Sequence, residues 1–94
     1  MDQLLIKEIQ SIAARYAGIK KIVLFGSRAR GDNADRSDID LCIYSDTDVS
    51  DFEADLNEET DTLLIFDVTR MRPGLDAEFV RRIEQEGVTL YEKS

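Results

Sequence analysis

Apolar positions along this chain switch between a helical period and a strand period, and the switches divide it into short segments. From about residue 3 to 17, Leu4, Leu5, Ile6, Ile9, Ile12, Ala13 and Tyr16 recur at helical spacing, with Asp2 placed as N-cap and Gly18 as C-terminal stop. KKIVLF (20–25) is a short β-branched run halted by Gly26, the pattern of a buried strand. The polar stretch 27–37 (SRARGDNADRS) carries the breakers Gly31 and Asn33, and reads as a turn, with room for one short helical turn, and then a loop. DIDLCIY (38–44) alternates cleanly, placing Ile39, Leu41 and Ile43 on one face and Asp38, Asp40, Cys42 and Tyr44 on the other. Ser50-Asp51-Phe52-Glu53 has capping-box spacing and opens a helix to about 58.

TLLIFDV (62–68) predicts a third strand, with Leu63, Ile65 and Asp67 sharing a face. Pro73 and Gly74 break the chain before a helix over about 75–86, built on Leu75, Phe79, Val80 and Ile83 and closed by Gly87. VTLYE (88–92) adds a last edge strand. The order αββαβαβ predicts an α/β (α+β) fold: one domain over 1–94, a small mixed sheet with helices packed on one side.

Composition narrows the chemistry. An apolar fraction of 43% supports a packed core. The acidic excess, 20 against 12 and a net charge of −8, argues against a broad electrostatic grip on DNA or RNA. One cysteine, Cys42, allows no intrachain disulfide and fits a cytoplasmic setting. No apolar run approaches 18 residues, so neither a membrane span nor a signal peptide is expected. Histidine is absent, which removes His-based triads, His-ligated zinc and His general bases, and leaves carboxylates as candidate catalysts.

The candidate chemistry lies in one spacing: Gly26-Ser27, ten residues, then Asp38-Ile39-Asp40. Each part has an ordinary reading, as a strand-ending turn or a wet strand face. Composition alone, however, places the joint pattern about 0.005 times per chain of this length. Asp disfavours strands, and two on one face repel unless a cation neutralises them. Asp67 repeats the anomaly inside a second apolar run. Three carboxylates on two strands can converge into a hard-oxygen cage for two Mg²⁺ ions. Arg28 and Arg30 flank the turn as solvated surface residues or as phosphate contacts. Cys42 suits a small buried filler better than a nucleophile, and Tyr16, Tyr44 and Tyr91 read as packing residues.

LFGSRARGDNADRSDIDL resembles the signature of the DNA polymerase β-like nucleotidyltransferase superfamily, and the small size resembles its minimal branch. The resemblance covers essentially the whole chain, from the first helix to the EGVTLYE end. It implies that Gly26 and Ser27 hold a nucleotide triphosphate, that Asp38 and Asp40 ligate Mg²⁺, and that Asp67 completes the metal site. It further implies an antitoxin that transfers AMP from ATP to a tyrosine of a partner HEPN-domain ribonuclease toxin. Two rival readings stand beside it. One is an antitoxin that neutralises by binding alone, and the other is a transferase acting on a small molecule or an RNA 3′ end. The charge of −8 disfavours RNA, and a domain this small needs a partner chain to complete an acceptor pocket.

Overall fold

The structure, a computed structural model, describes residues 3–31, 38–60, 62 and 64–93, with Ser27 and Arg30 described by backbone only. Its elements run α1 (Gln3–Ala13), β1 (Ile19–Phe25), α2 (Ser27–Arg30), β2 (Ile39–Ser45), α3 (Ser50–Glu59), β3 (Phe66–Arg70), α4 (Ala77–Glu86) and β4 (Val88–Glu92). The four strands form one mixed sheet in the order β3-β2-β1-β4. β1 runs antiparallel to both β2 and β4, whereas β2 and β3 are parallel and joined through α3. The succession of strands and longer helices along the chain, and the mixed sheet, are those expected from the hydrophobic pattern.

Alternation along the strands sorts two apolar layers. Ile22 and Leu24 of β1, Ile39, Leu41 and Ile43 of β2 and Phe66 of β3 meet Leu5, Ile9 and Ile12 of α1 and Phe52 and Leu56 of α3. Burial of this many branched side chains, at roughly 25 cal/mol per Å² of apolar surface, is the main source of stability. Tyr16 closes the layer edge-on against Phe52, and its hydroxyl donates to the Asp55 carboxylate, which raises the phenol to about 12. Gln10 donates from Nε2 to the Leu90 carbonyl and ties α1 to β4.

The other face carries a smaller layer in which Val23, Cys42 and Ile83 are buried, with Phe25, Tyr44, Met71 and Phe79 around them. Two helices, α1 and α3, thus lie on one side as expected, while α4 crosses the other. The residues of α4 that touch the sheet, Phe79 and Ile83, are four apart, so one narrow stripe suffices to dock it.

Several boundaries move. α1 ends at Ala13, five residues before Gly18, because Arg15 and Tyr16 take tighter bonds to the carbonyls of Ile12 and Ala13. The expected Asp2 cap lies outside the described residues. At α3 the N-cap is Val49 with no side-chain cap, and the capping box does not form. Instead Asp48 Oδ1 accepts the Ser50 N–H at 2.7 Å, and hydrogen bonds from the Ser50 side chain first and from this N–H second hold the Asp48 carboxyl below its usual range.

The third strand starts at Phe66 rather than at 62, and runs on to Arg70. Pairing with β2 sets that start. Ile39 N–H donates to the Ile65 carbonyl, and Phe66 N–H donates to Asn57 Oδ1 of α3, so the preceding residues are used as the link out of the helix. Ile65 is consequently 62% exposed rather than in a strand interior, and Leu63 lies outside the described residues. α4 begins at Ala77, two residues later than the periodicity suggests.

Candidate functional site

The parity of β2 decides which face receives its carboxylates. Ile39, Leu41 and Ile43 are buried on the α1–α3 side, so Asp40 must point to the opposite side, and Asp38, just before the strand, shares its parity. In β3, Phe66 enters the same core, so Asp67 also faces the α4 side. The register then aligns Asp40 with Asp67 across the parallel pair, and Phe25 with Asp40 across the antiparallel pair. Phe25, Asp40 and Asp67 therefore form one row across three strands.

Asp40 is half-buried, whereas Asp38 and Asp67 are exposed. Burial first, then the Asp67 charge and then that of Asp38, raise the Asp40 carboxyl above its ordinary value. Each of these causes disfavours its ionised form. A nearby cation is what would reverse them. Among the described residues no three acidic or thiol side chains are already closed into a cage, so the carboxylates share a field without being drawn together.

The turn after β1 adds the second half of the site. Gly26 has φ +78°, a conformation that side chains rarely adopt, and a Cβ built there would stand 2.5 Å from Asp40 Oδ2. Only glycine lets the chain turn this tightly over the carboxylate. α2 follows at once, with Ser27 its first residue and Arg30 its last. Arg28 is half-buried and already engaged with neighbouring groups. Hence the structure brings Asp38, Asp40, Asp67 and Gly26 to one place, with Ser27 next in the chain. The side chains of Ser27 and Arg30 lie outside the description.

Cys42 follows Asp40 on the same face, one row inward. It is buried, and burial pushes the thiol up to about 11, the behaviour of a filler. Sequence reasoning missed the contribution of α4. Phe79 meets Phe25 edge-on, with ring centroids 5.3 Å apart at 89°, and a cavity of ≈ 150 Å³ lies between Phe25, Gly26, Phe79, Arg82 and Glu86. No local signal marks these residues, since the helical period reads Phe79 only as a core position. A larger groove, ≈ 560 Å³, runs beside α1 over Leu4, Ile12 and Arg15. It shares no residue with the carboxylate row, and its size alone does not make it the site.

Residues 7–94 match the family described as polymerase beta, nucleotidyltransferase. The chain belongs to this family. Within the polymerase beta nucleotidyltransferases, a Methanocaldococcus jannaschii protein that carries the provisional name protein adenylyltransferase is 51% identical over 53 residues, which are 54% of this chain and 52% of that protein. The match thus spans about half the length of the curated relative. Among solved structures, a mutant form of the MntA-HpeT toxin–antitoxin superposes with TM-score 0.74 at 16% identity, covering 95% of this chain and 74% of the other. A toxin–antitoxin solved with AMP-PNP gives 0.72 at 17%, covering 100% and 76%. A provisional nucleotidyltransferase of Sulfolobus solfataricus gives 0.58 at 25%, covering 96% and 79%. The first two likenesses, at such low identity, establish the nucleotidyltransferase fold and nothing finer. No helix among the described residues is long and apolar enough to cross a membrane.

Proposed function

We propose that this chain is a Mg²⁺-dependent protein adenylyltransferase that moves AMP from ATP to a hydroxyl, most specifically a tyrosine of a cognate HEPN ribonuclease toxin that it thereby silences. The observation that carries the reading is the in-register pair Asp40–Asp67, with Asp38 on the same face and Gly26 turned over the Asp40 carboxylate. Family membership supports the transfer chemistry. The name of the archaeal relative supports protein as the acceptor, and the toxin–antitoxin fold neighbours support a toxin as that protein.

The donor set fits magnesium. It is all hard oxygen, it carries three charges, and its strained member, Asp40, gains most from a cation beside it. Asp38, Asp40 and Asp67 would hold two ions, which supply neutralisation of the triphosphate and a lowered pKa for the acceptor hydroxyl. Backbone N–H groups of the Gly26–Ser27 turn donate to phosphate oxygens, and Arg28 and Arg30 add charge on the phosphate side. Asp67 is exposed on the edge strand β3, which leaves it open to an incoming acceptor. There it accepts the hydroxyl proton as the hydroxyl oxygen bonds to the α-phosphorus and diphosphate leaves.

The direct test is transfer of label from α-phosphate-labelled ATP to the co-purified toxin, followed by intact mass. Asp40→Asn abolishes the label while retaining the fold. Undiminished transfer by this variant refutes the mechanism. Neutralisation of the toxin with no nucleotide present would instead favour the binding-only antitoxin.

A further inference from the structure

β3 ends the sheet, and its bonds to β2 fix which way its backbone groups point. Ile39 N–H donates to the Ile65 carbonyl at one end of the pair, and Met71 N–H donates to the Ile43 carbonyl at the other. In a parallel ladder every second residue bonds to a given neighbour. Asp67 and Thr69 therefore turn their N–H and C=O groups to β2, while Phe66, Val68 and Arg70 turn theirs outward. The two ends of that outward row are satisfied within the chain: Phe66 N–H by Asn57 Oδ1, and the Arg70 carbonyl by Arg72 Nη1. Between them lie the Phe66 carbonyl, both groups of Val68 and Arg70 N–H, and among the described residues no strand pairs with this edge.

The opposite edge is managed differently. β4 pairs with β1 through a register shift between Ile22 and Val23, and Gln10 of α1 donates to the Leu90 carbonyl. Bulges and covering contacts of this kind keep an edge from pairing further. The register of β3 with β2, by contrast, runs unbroken from Phe66 to Arg70. This is also the edge at which the row Phe25–Asp40–Asp67 ends. Ile65, a large apolar side chain left exposed, sits immediately before it.

An extended segment laid along β3 continues both the sheet and the row. Residues directly opposite one another in neighbouring strands point to the same face, with the strands about 4.8 Å apart. The residue that pairs with Asp67 therefore presents its side chain on the carboxylate side. In an antiparallel segment Val68 forms the hydrogen-bonded pair, and Asp67 falls at a non-hydrogen-bonded one, where opposed side chains come closest. The flanking residues of the segment point to the other face, where Val68 is only partly buried. A second copy of this chain suits the edge less well, since each copy carries a net charge of −8.

We propose that the outer edge of β3 docks an extended segment of the acceptor protein as a fifth strand, with the hydroxyl-bearing residue paired with Asp67. Backbone bonds to Val68 and Arg70 hold the segment with little demand on its sequence, and pairing with Asp67 selects the residue that is modified. The proposal rests on the protein adenylyltransferase reading, and adds how the acceptor is held.

Residue-resolved amide exchange on the full chain tests the docking without turnover. The chain alone is compared with the chain bound to its co-purified partner, Mg²⁺ and a non-transferable ATP analogue. The Val68 and Arg70 amides are expected to exchange at least about tenfold more slowly in the complex, while those of Asp67 and Thr69, already bonded to β2, change little. Unchanged exchange at Val68 and Arg70 overturns the proposal. So does protection of the same amides that grows with the concentration of the chain alone, the mark of self-pairing. Val68→Pro removes an outward N–H and no bond to β2, and edge strands tolerate proline at such positions. It should raise the partner concentration needed for half-maximal transfer about tenfold, the effect of one lost hydrogen bond, with ATP binding by calorimetry unchanged. Val68→Thr keeps the N–H and should behave as wild type; an equal weakening in both variants would assign the effect to side-chain packing and overturn the edge bond. Slowed exchange at the edge with no label transferred sinks the transferase reading and leaves the docking edge standing, whereas transfer without edge protection does the reverse.

Discussion

Replacing Gly26 by alanine separates two effects that this turn combines. The first is backbone strain: a non-glycine residue held at positive φ costs about 1–2 kcal/mol. Gly74 provides that cost alone, because its φ is +94° and a Cβ there meets nothing within 4 Å. The second is the contact with Asp40. A Cβ at Gly26 would stand 2.5 Å from Oδ2, and the carboxylate must withdraw by about 0.9 Å to reach the 3.4 Å of ordinary contact. Misplacing a reacting group by about 1 Å can cost about a hundredfold in rate. Both variants should therefore lose about 1–2 kcal/mol, at about 4–8 °C of thermal midpoint per kcal/mol for a domain of this size. Only Gly26→Ala should also lose about a hundredfold in AMP transfer per folded molecule. Thermal unfolding paired with label transfer, normalised to the folded fraction, measures both. Equal specific activity in the two variants would refute the claim that Gly26 exists to admit the Asp40 carboxylate.

Asp40 predicts a stability effect of opposite sign to its activity effect. Its folded pKa is raised by burial, Asp67 and Asp38, so the folded state holds the proton more tightly than the unfolded chain does. Stability is then fully present below the unfolded value, falls as pH rises through the folded one, and stays lower at neutral pH. Asp40→Asn should accordingly raise the urea midpoint at pH 7 while abolishing transfer, and a lowered midpoint contradicts the electrostatic account. Mg²⁺ at ten times its Kd should stabilise the wild type by about 1.4 kcal/mol and this variant by much less. Matching shifts in the two would remove the metal site from the carboxylate row. Cys42, its thiol pushed up to about 11 by burial, should react slowly with a disulfide reagent at pH 8 in the native protein and rapidly in urea. Rapid native labelling would show the second apolar layer to be open.

The facing of the candidate carboxylates was legible because period 2 is a strict rule. Once Ile39, Leu41 and Ile43 are assigned to the core, Asp38 and Asp40 have no choice of face, and no knowledge of the tertiary structure is needed. Asp67 was legible for the same reason, even though its strand was placed four residues early. A later start removes residues from a strand without altering the alternation of those that remain, so the error in β3 left Asp67 on its expected face and misassigned the exposure of Ile65. What failed were quantities set by partners. The end of α1, the cap of α3 and the start of β3 depend on particular hydrogen bonds, some to groups distant in sequence: Phe66 N–H to Asn57 Oδ1 and Ile39 N–H to the Ile65 carbonyl among them.

The side of the sheet that α4 takes was equally invisible, for a related reason. An amphipathic stripe states that a helix packs, but both faces of this sheet offer apolar partners: Ile22 and Leu24 on one, Val23 and Cys42 on the other. The short link settles the choice. Gly87 alone separates α4 from β4, and a Cβ on it would meet the Ile83 carbonyl at 2.3 Å and Val23 Cγ1 at 2.4 Å. The helix is thereby held down on the Val23 side, which is the side that carries the acidic row. This connection brings Phe79, Arg82 and Glu86, more than fifty residues after Gly26 in the chain, beside the turn. Through this route α4 comes to lie beside candidate site residues that all precede it in the chain.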